Sequence, residues 1–132
     1  MKTVWTNGCF DILHRGHIEM FKFAKSLGDR LIVGLDTDEK VKEAKGNDRP
    51  FNTLEDRSFV VSSIGYVDKT MSFNSQYQLE DLIKQIKPDI LVVGSDWEGK
   101  YVVGAEYAKE VVFFPRIDGY STTKVLDNDN LR

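Results

Sequence analysis

Leu31-Ile32-Val33-Gly34-Leu35 is an unbroken apolar run held between Arg30 and Asp36. Such a run reads as a strand buried on both faces, the condition of a parallel sheet covered by helices. Working upstream, Ile18, Phe21, Ala24 and Leu27 recur at helical spacing, and Gly28 marks the stop. Before that helix, Lys2 to Gly8 reads as a first strand. Downstream, Asp38 to Ala44 reads as a brief helix and Lys45 to Phe51 as a polar loop carrying Gly46 and Pro50. Asn52 or Thr53 can cap the next helix, with Glu55 or Asp56 completing a capping box. That helix is expected to present Phe59, Val60 and Ile64. Val67 to Phe73 follows as a strand. Leu79, Leu82, Ile83 and Ile86 then mark an amphipathic helix that ends before Pro88. Ile90 to Val93 and Val111 to Phe114 are further strands, and Ser121 to Leu126 reads as a final helix.

Strands and helices that alternate in this way predict an α/β sandwich with a mainly parallel sheet. Its ligand site belongs beyond the C-terminal ends of the strands, at the switch in strand order. Three marked loops leave strands there: Asn7-Gly8, Gly94-Ser95-Asp96 and Pro115-Arg116.

The first of these loops leads into His14-Arg15-Gly16-His17, which contains both histidines of the chain. Residues three apart at a helix start share one side of its first turn. Gly16 carries no side chain, so a bulky anion can approach the backbone. The helix N-terminus adds unpaired N–H groups and roughly +0.5 of a charge, and imidazoles donate N–H bonds to phosphate oxygens. A second anion seat is legible in Gly119-Tyr120-Ser121-Thr122-Thr123-Lys124, where hydroxyl residues follow a glycine at a helix start. Arg116 stands just upstream, able to add a bidentate contact. Lys45, Arg49 and Arg57 lie in or just after the polar loop, where cations can close over a charged ligand. The whole describes two helix N-termini aimed at one polyphosphate.

Composition narrows the classes further. A chain of 132 residues is long enough for one real core. With a net charge of −3, it has no electrostatic footprint for nucleic acid. No apolar run is long enough to span a bilayer, and the start of the chain has no signal-peptide pattern. Cys9 is the one cysteine, so no internal disulfide can form, and a reducing, cytoplasmic setting is expected. It reads as a small buried residue. No Gly-x-Gly-x-x-Gly or P-loop pattern is present, and two histidines with one cysteine do not make a zinc site. No metal ligands are assigned, and no Ser-His-Asp order suggests hydrolysis.

Thr6-Asn7-Gly8-Cys9-Phe10-Asp11-Ile12-Leu13-His14-Arg15-Gly16-His17 resembles the signature of the nucleotidyltransferases with an HxGH motif. Arg116-Ile117-Asp118-Gly119-Tyr120-Ser121-Thr122-Thr123-Lys124 is similar to their second signature, a Gly-x-Ser-Thr-Thr helix start. The likeness covers essentially the whole chain and implies a single nucleotidyltransferase domain over residues 1-132. The implied fold is α/β, a Rossmann-like three-layer sandwich with a mainly parallel five-stranded sheet. Two branches compete. Gly94-Ser95-Asp96-Trp97-Glu98-Gly99-Lys100 and Pro115-Arg116 resemble the glycerol-3-phosphate cytidylyltransferases. Thr6 to Asp11, Lys45-Gly46-Asn47-Asp48-Arg49-Pro50 and Gly119-Tyr120 look more like the heptose-1-phosphate adenylyltransferases. The glycerol-3-phosphate enzymes carry a Trp and a Lys near the acceptor, where this chain has Ser75-Gln76-Tyr77-Gln78.

The resemblance implies a reaction in which an oxygen of a phosphomonoester attacks the α-phosphorus of a nucleoside triphosphate and pyrophosphate leaves. The expectation taken first is CTP with glycerol 3-phosphate. The alternative is ATP with a heptose 1-phosphate, and a nucleotide sensor without turnover is the reading of another class. By resemblance, His14 and His17 hold the triphosphate and stabilise charge at the α-phosphate. Lys45, Arg57 and Arg116 complete the catalytic set, with Arg116, Ser121, Thr122 and Thr123 on the β- and γ-phosphates. Asn7, Gly8, Cys9, Phe10, Gly16, Gly119 and Tyr120 join the nucleotide site, Asp96 and Trp97 lie near base and ribose, and Asp11 orients the acceptor or a bound metal. Mg²⁺ is expected to be bound mainly through the triphosphate. A homodimer is also expected, with aromatics near Phe51, Phe73 and Tyr77 available for its interface or for the core.

Overall fold

A computed structural model describes residues 1–115. Five strands form one sheet: β1 (Thr3–Gly8), β2 (Arg30–Asp36), β3 (Lys69–Phe73), β4 (Ile90–Gly94) and β5 (Glu110–Phe114). Four helices connect them: α1 (Arg15–Ser26), α2 (Asp38–Lys45), α3 (Leu54–Ser62) and α4 (Gln76–Ile86). The strand order is β3-β2-β1-β4-β5, and every pairing is parallel. The expected mainly parallel sheet is thus wholly parallel, and the fold is Rossmann-like. The chain winds outward from β1 through β2 to β3 and then crosses to the other side for β4 and β5. The switch in order therefore lies between β1 and β4.

Alternating strand residues serve opposite faces. Val4, Leu31, Val33, Leu35, Ile90 and Val92 pack with Phe21 and Ala24 of α1 and Val61 of α3. Trp5, Ile32 and Leu91 point the other way, onto Leu79 and Ile83 of α4 and onto Val102. This sandwiching of the sheet explains the unbroken apolar run of β2. Gly34 falls where a Cβ would come within 2.5 Å of the Trp5 ring, so the indole uses the space that a side chain would fill.

Two apolar assignments are corrected. Phe59 and Val60 do not form the buried face of α3; they are exposed. The buried positions of that helix are Arg57 and Val61, with Leu54 and Ile64 packed against the same core. Helix phase, not residue type, decides the stripe, and a bonded arginine occupies one of its places. Phe73 is a core residue, whereas Phe51 and Tyr77 are exposed. Thr53, not Asn52, caps α3, its hydroxyl accepting from the Asp56 N–H. The final helix expected over Ser121 to Leu126 lies outside the described residues. No helix among the described residues is long and apolar enough to cross a membrane.

Candidate active site

The C-terminal end of β1 opens at the switch point. β1 pairs with β2 along its whole length, from Thr3 to Gly8. With β4 it pairs only at Val4 and Trp5. Beyond these residues the two strands part, and the buried Thr6 hydroxyl donates to the Val92 carbonyl at 2.8 Å. The Trp5 indole N–H donates to the Asn7 side-chain oxygen at 2.9 Å. Asn7 and Gly8 are left at the mouth of the crevice.

The chain then turns tightly into α1. Phe10 takes a left-handed φ of +50°, which folds its ring back over Gly8. A Cβ on Gly8 would meet that ring at 3.0 Å. The buried ring stands edge-on to His17, with centroids 5.5 Å apart, and against Phe21. Holding a phenylalanine at positive φ is unfavourable, and the turn persists because burial of the ring on α1 offsets it.

His14 is the N-cap of α1. Its Nδ1 accepts the Gly16 N–H at 3.0 Å, and the Nδ1 of His17 accepts the His14 N–H at 3.2 Å. This is a capping box built from two imidazoles, which stack with centroids 3.8 Å apart. An Nδ1 that accepts a main-chain N–H carries no proton, so each neutral ring bears its proton on Nε2. Burial first, then His14 and Lys45, lower the His17 pKa to about 4, so it is neutral at pH 7. Both rings are therefore set as Nε2–H donors at a helix N-terminus, an arrangement suited to phosphate oxygens.

Lys45 ends α2 and is exposed. Its charge acts on both His17 and Cys9, which puts the ammonium within electrostatic range of the histidine turn. Cys9 is half-buried rather than buried, and burial raises its thiol pKa.

Two residues of the expected set have other duties. Arg57 is not a loop cation that closes over phosphates; it is 1% exposed. Its Nη1 donates to the carbonyls of Cys9 at 2.9 Å and Asp36 at 2.8 Å. Its Nη2 donates to Asp38 at 2.7 Å and its Nε to the Asn52 carbonyl at 3.0 Å. Asp11 is not presented to an acceptor or a metal. Its buried carboxylate accepts from the main-chain N–H groups of Phe51 at 2.8 Å and Asn52 at 2.9 Å, and from Arg49 Nε at 3.3 Å. The sequence shows a charge at these positions but not the main-chain groups that claim it.

On the α4 side of the strand ends lies a cavity of about 360 Å³. Asn7, Gly8, Asp36, Lys40, Gln76 and Trp97 line it, over a floor that includes Phe73 and Leu79. Trp97 thus joins the crevice; Asp96, its neighbour in a 3-10 turn after β4, is exposed and is not among the cavity's lining residues. Lys40 pairs with Asp36 at 3.6 Å. Asp36 and Lys40 are not among the expected site residues, although Asp36 ends a strand, where sites gather; Gln76 belongs to the stretch that replaces the Trp and Lys carried near the acceptor by the glycerol-3-phosphate enzymes. Arg116, Gly119, Tyr120, Ser121, Thr122 and Thr123 lie outside the described residues.

The cytidylyltransferase-like family model matches residues 5–127. The chain belongs to this family. The bifunctional protein HldE of Helicobacter hepaticus is 50% identical over 127 residues, 96% of this chain and 26% of that protein. HldE of Helicobacter pylori is 44% identical over 126 residues, 96% of this chain and 27% of that protein. The chain spans about a quarter of the length of these curated relatives. Among solved structures, the lipopolysaccharide core biosynthesis protein from Thermoplasma volcanium aligns with a TM-score of 0.66 at 28% identity, covering 92% of this chain and 99% of that one. Pantothenate synthetase from Thermus thermophilus aligns with a TM-score of 0.62 at 14% identity, covering 89% of this chain and 56% of that one, a likeness of fold alone.

Proposed function

We propose that this chain is an adenylyltransferase that joins ATP to a heptose 1-phosphate and releases pyrophosphate. The cavity at the C-terminal end of β1, lined there by Asn7 and Gly8, carries this reading. At about 360 Å³ it sits at the small end of ligand sites, roughly 300–1,000 Å³. Its lining pairs an indole with Asn7, Asp36, Lys40 and Gln76, groups that can hydrogen-bond several hydroxyls of a sugar while an aromatic face covers its C–H bonds. Relatives named HldE at 44–50% identity support the same reading, as does a structural neighbour named as a lipopolysaccharide core biosynthesis protein. The stretch Lys45 to Pro50, which looks like that of the heptose enzymes, agrees. Together these favour the heptose reading over CTP and glycerol 3-phosphate, the expectation taken first.

In this reaction an oxygen of the sugar phosphate forms a bond to the α-phosphorus of ATP. The bond from α-phosphorus to the bridging oxygen breaks, and pyrophosphate leaves with that electron pair. The acceptor already carries its charge, so no side-chain nucleophile is needed. The chain supplies positioning and charge stabilisation: the Nε2–H groups of His14 and His17 on the α-phosphate, and the Lys45 ammonium beside them. Among the described residues no cluster of three or more His, Cys, Asp or Glu side chains could cage a metal ion. Mg²⁺ would act as a companion of the triphosphate, neutralising its oxygens.

Pyrophosphate release tests this, with ATP and CTP each crossed against heptose 1-phosphate and glycerol 3-phosphate, and His17→Ala as control. Release with ATP and the heptose, absent from the variant, is the expected result. Release with CTP and glycerol 3-phosphate alone returns the chain to the cytidylyl reading. Nucleotide binding without release from any pair would mean a sensor.

A further inference from the structure

We propose that Asp11 and Arg57 are positioning residues: they pin both ends of residues 38–52 to the turn at 9–11 and so hold Lys45, in the middle of that segment, beside His17. The first pin is at Asp38, where α2 begins. Arg57 Nη2 grips the Asp38 carboxylate while Nη1 grips the Cys9 carbonyl, which lies five residues before His14. The second pin closes the far end. The Asp11 carboxylate takes the N–H groups of Phe51 and Asn52 and the Nε of Arg49. Asn52 Nδ2 returns a bond to the Asp11 carbonyl at 2.8 Å. Asn52 also joins the pins, since its own carbonyl accepts from Arg57 Nε.

Between the pins runs α2, a rigid spacer of eight residues with Lys45 at its end. Residues 46–48 are exposed. Lys45 is exposed as well, so the pins on either side, not burial, restrain its backbone. The pinning groups cannot themselves meet substrate: the Asp11 side chain is 1% exposed and that of Arg57 0%. A buried carboxylate and a buried guanidinium that spend their bonds on main-chain groups act on geometry, and a misplacement of about 1 Å near a reacting centre can cost a hundredfold in rate.

The inference uses the nucleotidyl-transfer reading for what Lys45 does to rate, but its position can be read without turnover. The charged and titratable neighbours that bear on the His17 ring are His14 and Lys45, and both lower its pKa. Titration of His17 by NMR in the full chain therefore reports where the ammonium stands. Lys45→Ala should move the His17 titration upward. Asp11→Asn should move it upward too, because the strap loosens and the ammonium drifts away. Removal of the Asp11 negative charge alone could act only in the opposite direction. In the double variant the shift should equal that of Lys45→Ala. In pyrophosphate release, Asp11→Asn should lower kcat about tenfold or more in the wild-type background and change it little in the Lys45→Ala background. Should Asp11→Asn fail to fold, Asn52→Ala removes only the return bond and carries the same comparison. An unmoved His17 titration in both Asp11→Asn and Asn52→Ala overturns the proposal, as do rate losses that multiply in the double variant. A wild-type chain silent with every nucleotide would end the proposed reaction and leave the titrations to judge the positioning.

Discussion

His14 and His17 cap the same helix for each other: each Nδ1 accepts a main-chain N–H of the first turn, at 3.0 Å from Gly16 and 3.2 Å from His14. One contact does two jobs. It satisfies donors that a helix start leaves unpaired, and it fixes the tautomer that turns Nε2–H outward. Helix capping and the proposed phosphate contacts are therefore carried by the same two rings through different nitrogens, and substitutions can separate them. His17→Ala should cost about 1 kcal/mol of stability through the lost cap and roughly a hundredfold or more in kcat through the lost donor. His17→Gln should recover the stability, because glutamine at this position reaches back in a capping box, but not the rate. Thermal unfolding alongside pyrophosphate release checks both. Full activity in the glutamine variant would remove the imidazole from the chemistry.

The same geometry sets a pH dependence. The His17 pKa is lowered to about 4 by burial, His14 and Lys45, against about 6.5 in an unfolded chain. Between these values the unfolded chain binds a proton that the folded one refuses, so this group's contribution to stability falls as pH falls. The slope is at most about 1.4 kcal/mol per pH unit from one such group. Denaturant unfolding at pH 7, 6 and 5 should show this loss, and His17→Gln should flatten it. A wild-type profile no steeper than that of the variant would contradict the lowered pKa.

Gly8 and Phe10 carry the turn before the histidines. Gly8→Ala would push a methyl to 3.0 Å from the Phe10 ring. The ring cannot swing freely, because it is buried against His17 and Phe21. The expected cost is about 1–3 kcal/mol for the overpacked turn, with a fall in kcat as the His17 ring shifts with its neighbour. A melting curve and a single-substrate rate series would check it. An unchanged melting temperature would show that the ring relaxes at no cost.

The sheet was legible because its strands are apolar runs between turn residues, and β1, β2 and β4 appear within a residue or two of where periodicity puts them. The histidine turn was legible because spacing and helix start coincide there. Arg57 and Asp11 were legible as charges but not in their roles. Their partners are the Cys9, Asp36 and Asn52 carbonyls and the Phe51 and Asn52 N–H groups, and backbone groups leave no mark in a sequence. Phe59 misled for the opposite reason: an aromatic on a helix suggests a core, yet the phase of α3 turns it to solvent. The cavity was legible only in part: Asn7, Gly8 and Trp97 belong to the expected nucleotide set, whereas Asp36 and Lys40 come from a separate segment that only the parallel sheet brings to them.

Trp97 gives the sharpest division between the two halves of the site. Its resemblance-based role is near base and ribose, whereas its position on the cavity wall, in the same lining as Asp36, Lys40 and Gln76, suits the acceptor sugar. The two roles predict different kinetics. If the indole covers the sugar, Trp97→Ala should raise the KM for heptose 1-phosphate by roughly tenfold, the worth of about 1.4 kcal/mol, and leave the KM for ATP nearly unchanged. Gln76→Ala should do the same more weakly, since a single neutral hydrogen bond contributes about 0.5–1.5 kcal/mol. The fold should survive both changes, because Trp97 is 52% exposed and Gln76 is also exposed. Initial rates with each substrate varied in turn decide the matter. A rise confined to the KM for ATP would move Trp97 to the nucleotide and leave the cavity without its aromatic wall for the sugar.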